Sequence, residues 1–338
     1  MLVALQRLGL VAKLGVVANT SNAVDRALLA KGTLKTMNAG DVPVAVGASA
    51  GQSSKSRMLP DGTITATGGL QFEGCDYLAR PDELYHGGKP DSGVELVFEA
   101  IAAAKAGGRK LTIACASAMT DMAQCLHHPR WAKEAPGVVT AITVMCGAAH
   151  SSGGITLDEE AQNARFDLKS ARFIYSKLQA QREIRFTVVT RHSAPGCRLQ
   201  RNALNGSLHP VAKRLAATGR PNLLALWKRT HLTAKERKKK KDTLPISRDV
   251  QWFRKVFLQP DAPPLLGPDD DVWNHFVGFN EYDGLAAVVA ATAPSEKLFG
   301  QFFQPFVCPK TGTLVLGQAE GDSGIGDEGL VRKLQCCA

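Results

Sequence analysis

The sequence predicts an α/β fold built on an open, doubly wound, mostly parallel sheet. Apolar, β-branched runs recur at Leu14–Ala18, Pro43–Gly47, Leu111–Ala116, Ala141–Met145 and Phe186–Thr190. Continuous apolar runs of this length suit strands covered on both faces. Helical periodicity separates them, and strands alternating with helices give right-handed crossovers. Glycine is abundant (32 residues) and aromatics are few (6%), which favours tight βα turns over a sandwich. With 338 residues and 44% hydrophobic content, the chain can bury a sizeable core, so a disordered chain is excluded.

The elements follow in order. No acid precedes Asp25, and the start could pass for a targeting peptide. Arg7 and Lys13 interrupt its apolar run, so a short helix before the strand Leu14–Ala18 is the better reading. Ser92 and Glu95 have the spacing of a capping box ahead of Val94, Leu96, Val97, Ile101 and Ala104. Asp167 is placed to cap a helix through Ala171, Ile174, Tyr175 and Leu178. Residues 1–194 therefore read as an α/β core. Residues 195–280 read as a helical and loop insertion, Pro- and Asp-rich at 260–271. Residues 281–338 return to the core, with the sheet pattern resuming near Asp283–Ala291.

The net charge is +10, and residues 228–241 alone carry eight basic residues against one acid, Glu236. One run, without interleaved aromatics, is not the spread basic face of a specific nucleic-acid binder. It reads as a solvated, mobile and dispensable insertion. The expected location is cytoplasmic, with nuclear targeting through the Lys-rich run as the alternative. Eight cysteines without a CxxC pair fit a reducing compartment and argue against a disulfide framework or a structural zinc. No stretch of about 18 uncharged apolar residues predicts a membrane span.

In an open parallel sheet, ligands bind beyond the carboxyl ends of the strands. Asn19 follows the first run, Ser117 and Thr120 the third, Gly147 and later Asn163 the fourth, and Arg191 and His192 the fifth. Amides and hydroxyls at such positions suit a sugar. No Gly-x-Gly-x-x-Gly follows the first strand, and neither a Walker A sequence nor Gly-x-Ser-x-Gly is present, which disfavours a dinucleotide fold, a P-loop NTPase and a nucleophile elbow.

Five segments carry a resemblance: GDVPVAVGA (40–48), LTIACASAMTDMAQCL (111–126), ITVMCGAA (142–149), EEAQNARFDLKSARFIY (159–175) and FNEYDGLAAVVA (279–290). In order and spacing, over roughly residues 1–290, they resemble the inosine–uridine-preferring nucleoside hydrolases. The resemblance implies hydrolysis of the N-glycosidic bond of ribonucleosides, with a calcium ion held by clustered Asp side chains and one Thr carbonyl. A hard cation of this kind takes oxygen ligands and acidifies a bound water. Matched residue by residue, Thr120 and Asp283 are implied metal ligands, and Asn19, Met145 and Asn163 are implied ribose contacts. Tyr282 stands where many members have a His for the leaving base, so it is the implied leaving-group acid.

Each of these residues has a plainer role as well. Asp283 and Thr120 suit helix N-caps, Asn19 and Asn163 suit turns, and Met145 suits the core. Met1–Leu5 resembles the helix that follows the family's Asp-rich motif. The first strand is therefore expected to be missing, and the general-base Asp is expected upstream of Met1. Ala161 stands where a Glu often contacts the ribose. The expected function is nucleoside hydrolysis, impaired by loss of that motif, and the alternative is a non-catalytic relative that binds a ribonucleoside. Self-association stays open. His150 is a weaker candidate near the cleft, His127 and His128 suit a helix-end surface, Asp269–Asp271 suit an exposed turn, and Cys336 and Cys337 belong to the tail.

Overall fold

The computed structural model describes residues 1–49, 56–58, 64–66, 75–151, 154–240, 242, 244 and 246–329. Cys336 and Cys337 lie outside them. The chain divides into two compact units: Met1–Gly68, Tyr77–Arg198 and Asn280–Ala338 form the first, and Gly69–Asp76 with Leu199–Phe279 form the second.

The first unit runs α1 (Leu2–Arg7), β1 (Val16–Ala18), α2 (Ala23–Thr36), β2 (Val44–Val46), β3 (Ser56–Met58), β4 (Ile64–Ala66), α3 (Gly93–Ala106), β5 (Leu111–Cys115), α4 (Thr120–His127), α5 (Pro129–Glu134), β6 (Val139–Met145), β7 (Ala148–Ser151), β8 (Gly154–Leu157), α6 (Gln162–Phe166), α7 (Leu168–Ala180) and β9 (Arg185–Val189). The chain passes into the second unit at β10 (Arg198–Leu199). That unit holds α8 (Pro210–Thr230), α9 (Ala234–Lys239) and α10 (Val250–Phe257). It returns at β11 (Phe279–Asn280) to α11 (Tyr282–Thr292), α12 (Glu296–Phe302), β12 (Phe306–Val307) and β13 (Leu314–Leu316).

The fold is the expected mixed α/β type with a mostly parallel sheet. The central sheet has the order β12-β13-β9-β6-β5, with only β12 antiparallel. β1 and β2 form a separate parallel pair. The pleat explains why the central strands read as continuous apolar runs. Ile142, Val144, Phe186 and Val188 point to one face and pack with residues of α3, α4 and α7. Met145, Val189 and Leu316 point to the other and pack with residues of α1, α11 and α12. The N-terminal segment is a helix, with Leu5 fully buried in this second cluster.

Three local expectations differ from the structure. Residues around Asp283–Ala291 form helix α11 rather than sheet. An Ala- and Val-rich run buried on every side has no polar stripe to reveal a helical period. Ser92 sits at the N-cap of α3 but makes no side-chain cap. Its hydroxyl instead meets the Val46 N–H at 3.3 Å and the Val46 carbonyl at 3.4 Å, at the end of β2. Strands β12 and β13 and the hairpin β7–β8 carry no readable sequence signal, because each strand is only two to four residues long. Asp167 does cap α7, accepting the Ser170 N–H at 3.1 Å.

The second unit has its own core of Leu223, Trp227, Phe253, Leu258, Ala262, Val272 and Phe276. Its Lys-rich segment is not a loose insertion. Thr233 and Glu236 form a capping box that starts α9. Arg237 is 5% exposed, and its guanidinium donates to the carbonyls of Arg248 (3.0 Å), Leu232 (3.1 Å), Leu244 (3.2 Å) and Thr230 (3.3 Å). Arg229 holds Asp242 through two bonds of 2.6 and 2.9 Å and sets its carboxyl at about 2. Lys235, Lys238, Lys239 and Lys240 stay exposed on the same helix or its end. Arg237→Ala orphans several buried carbonyls and is expected to cost about 2–4 kcal/mol. Lys238→Ala and Lys239→Ala should stay within about 0.5 kcal/mol. Urea unfolding followed by tryptophan fluorescence checks this, since Trp227, Trp252 and Trp273 all lie in this unit.

Candidate functional site

The carboxyl edge of the first unit is organised by the segment 116–121, between β5 and α4. It starts where β5 ends and must turn sharply, so its backbone carbonyls are left over from both strand and helix. Two asparagines take them up. Asn19, just after β1, donates its Nδ2 to the Ala118 carbonyl at 2.9 Å and to Asp121 Oδ2 at 2.7 Å. Asn163, on α6, donates to the carbonyls of Ala116 at 3.1 Å and Met145 at 2.8 Å. Every one of these partners can only accept when Asp121 is ionised, so the NH2 end of each amide faces inward. Each Oδ1 has no hydrogen-bond partner among the described residues, and both side chains are partly exposed.

Asp121 is 6% exposed and also accepts the Ala48 N–H at 2.8 Å, through Oδ1. It thereby joins the loops after β1 and β2 to the head of α4. Burial pushes its carboxyl above the usual range, against the hydrogen bonds from Asn19 and Ala48. Glycines make the room it needs. A Cβ on Gly47 would lie 2.7 Å from Asp121 Oδ1, and one on Gly93 would lie 3.0 Å from it and 2.4 Å from Val17. Next to it, Thr20 has φ 74° with its hydroxyl buried and unpaired. A β-branched residue in the left-handed region is strained, and such strain gathers at binding sites.

The other expected residues fall as follows. Thr120 is the first residue of α4, not its cap, and its hydroxyl donates to Asp167 Oδ2 at 2.8 Å. Burial pushes Asp167 up, but the bonds from Ser170 and Thr120 outweigh it and hold the carboxyl low. Met145 is 7% exposed in the core and meets the site only through its carbonyl. Asp283 lies in the first turn of α11, after the N-cap Glu281, where the helix dipole favours an anion. That turn lies beside residues 194–197, which follow β9, so Asp283 shares the carboxyl side of the sheet. It is open to solvent on one side, yet surrounding protein pushes its carboxyl up, and no described group donates to it. Tyr282 accepts the Asn280 Nδ2 at 3.2 Å, and Asn280 is held by Arg198 at 2.8 Å.

The weaker candidates are occupied elsewhere. His150 is exposed against Phe306 on β7. His127 stacks on Phe173, and His128 caps α5. Asp269 pairs with Lys228, Asp270 accepts the Gly267 N–H, and Asp271 accepts the Trp273 N–H.

Calcium takes roughly six to eight oxygens. Among the described residues no group of three or more His, Cys, Asp or Glu side chains converges to hold a metal ion. Thr120 and Asp283 by themselves do not fit the ion. Sequence reasoning passed over Asp121 and Thr20. Nothing local in the sequence marks Asp121 as buried. The glycines that make room for it, at 47 and 93, are distant in the chain.

Neither protein-family models nor curated proteins give a match. Among solved structures, the effector protein XOO4466 superposes at a TM-score of 0.70 and 23% identity, covering 99% of this chain and 85% of that one. The type III effector protein XopQ, crystallised in complex with adenosine diphosphate ribose, superposes at 0.71 and 23%, covering 99% of this chain and 86% of that one. These likenesses establish a shared fold. The inosine–uridine preferring nucleoside hydrolase from Bacillus anthracis is 14% identical at a TM-score of 0.36, too low to support an argument.

Two outcomes are expected here. Gly47→Ala should displace Asp121 and lower the melting temperature by several degrees, since the side chains of Asp121, Val17 and Asn19 leave the new methyl no space. Asp283→Asn should raise it by at most about 1 °C at pH 7, because the surrounding protein disfavours the charged carboxylate while its exposure and the helix dipole offset most of that penalty. With its folded-state pKa raised, the penalty appears above the ordinary Asp range. The gain from Asn should therefore vanish below about pH 4, where the carboxyl is protonated folded or unfolded. Thermal melts from pH 3 to 8 check both.

Proposed function

We propose that this chain binds a ribosyl ligand, a nucleoside or a nucleoside diphosphate sugar, at the carboxyl edge of its first unit. One observation carries the reading. Asn19 and Asn163 hang from the same segment, and each turns a carbonyl oxygen away from its anchors. Two fixed acceptors call for two donors, and a sugar presents hydroxyls as donors. Polar groups held in place by their own hydrogen bonds lose little entropy on binding. The adenosine diphosphate ribose in the XopQ structure is a ligand of this chemical class in the same fold.

Hydrolysis of an N-glycosidic bond, as in the nucleoside hydrolases the sequence resembles, is the second reading. Asp283 and Tyr282 favour it. A crowded, unpaired carboxylate suits a developing ribosyl cation. The Tyr282 hydroxyl, accepting from Asn280, keeps its proton available for a leaving base. Of the implied calcium ligands only Thr120 and Asp283 have a counterpart, and among the described residues no cluster of three or more His, Cys, Asp or Glu side chains completes the site, so binding is the better supported of the two.

Titration calorimetry with adenosine diphosphate ribose, inosine and uridine tests the proposal. At least one should bind, and Asn163→Leu should weaken it by about tenfold or more, since the site then offers no partner to a desolvated hydroxyl. Failure of all three to bind would reject it. Ribose release from inosine, with calcium and with chelator, should stay at the uncatalysed level; calcium-dependent turnover would establish the second reading instead.

A further inference from the structure

The geometry points to Asp121 as the residue that fixes which end of the Asn19 amide faces the ligand, and so makes that position selective for a hydroxyl donor. Only the identity of the ligand rests on the ribosyl reading above. The polarity argument rests on the protein.

An asparagine amide has two ends of nearly equal shape and opposite hydrogen-bonding character, so something must choose between them. Asn19 has two neighbours on its inner side, the Ala118 carbonyl and Asp121 Oδ2. The carbonyl alone would favour the NH2 end. The carboxylate makes the choice strong, because a bond to a charged acceptor at 2.7 Å is among the firmer ones. Asp121 cannot turn away from this duty. Its other oxygen is committed to the Ala48 N–H, and Gly47 and Gly93 crowd the carboxylate closely. Asp is required because both oxygens must accept.

Asp121→Asn exchanges one atom in the same volume. Its remaining oxygen is needed by the Ala48 N–H, so its new NH2 group faces the NH2 of Asn19. Two donors then oppose each other. If Asn19 turns over to relieve this, its oxygen meets the Ala118 carbonyl and its NH2 points to the ligand. In the first case the acceptor loses its anchor, and in the second it is replaced by a donor. At this position the protein as it stands prefers a hydroxyl and disfavours phosphate or carboxylate oxygens, so a ligand carrying both places its sugar here.

The test compares wild type with Asp121→Asn and with Ser92→Ala, which disturbs the same neighbourhood without touching Asn19. The first readout needs no ligand. Hydrogen exchange of the Asn19 side-chain NH2 is followed by nitrogen-15 NMR, with the signal assigned by its loss in Asn19→Leu. It should accelerate by about tenfold or more in Asp121→Asn and stay unchanged in Ser92→Ala. Equal protection in Asp121→Asn and wild type would overturn the inference. The second readout is the affinity for adenosine diphosphate ribose, expected to fall by about tenfold in Asp121→Asn while both variants keep a cooperative melt. Undiminished affinity would also overturn it. If wild type binds no ribosyl compound, the proposed function fails, and the exchange measurement still decides the role of Asp121.

Discussion

A carboxylate with almost no contact with water holds the carboxyl edge of the first unit together. Asp121 sits at the head of α4, and from there its two oxygens reach the loop after β1 and the loop after β2. A buried charge is tolerated only when hydrogen bonds replace the lost water. That requirement runs in both directions. The loops need an acceptor for the Ala48 N–H and the Asn19 amide, and the carboxylate needs those donors. The β1–β2 pair has no strand hydrogen bonds to the five-stranded sheet, so this side-chain junction joins the two at their carboxyl ends. The close glycines at 47 and 93 and the inward amide of Asn19 both follow from fitting it.

The same logic shapes the rest of the edge. Asn163 joins the ends of β5 and β6 through two backbone carbonyls, and Thr120 joins α4 to the capped start of α7. These bonds tie the loops of the rim to one another and leave the Asn19 and Asn163 carbonyl oxygens without a partner among the described residues. Asp283 differs from them. It is exposed at the head of α11 with no described group donating to it, and the protein around it pushes its carboxyl up.

The second unit shows how a charge run can hide a structural residue. It holds fifteen of the 41 Lys and Arg and nine of the 31 Asp and Glu, so most of the net positive charge is here. Arg237 is nevertheless an internal brace, donating to four backbone carbonyls. An arginine fork presents several donors in one plane, which suits it to gathering chain ends that leave carbonyls unpaired. Its lysine neighbours have single, mobile charges and stay in water.

By itself the sequence determined the α/β class and the strands that lie between two helical layers, because burial on both faces writes an unbroken apolar run. It also placed Asn19, Thr120 and Asn163 just beyond those strands, since the edge of a parallel sheet follows directly from where the runs stop. Tertiary structure alone decided the rest. The Leu285–Ala290 run became helix because its surroundings, not its period, made it apolar on all sides. Ser92 left its expected cap for Val46, a partner 46 residues away. Arg237 and Asp121 were indistinguishable in sequence from surface charges. What separates them is the set of backbone groups around them, brought from distant parts of the chain, and a hydrogen bond to such a group leaves no pattern in the order of residues.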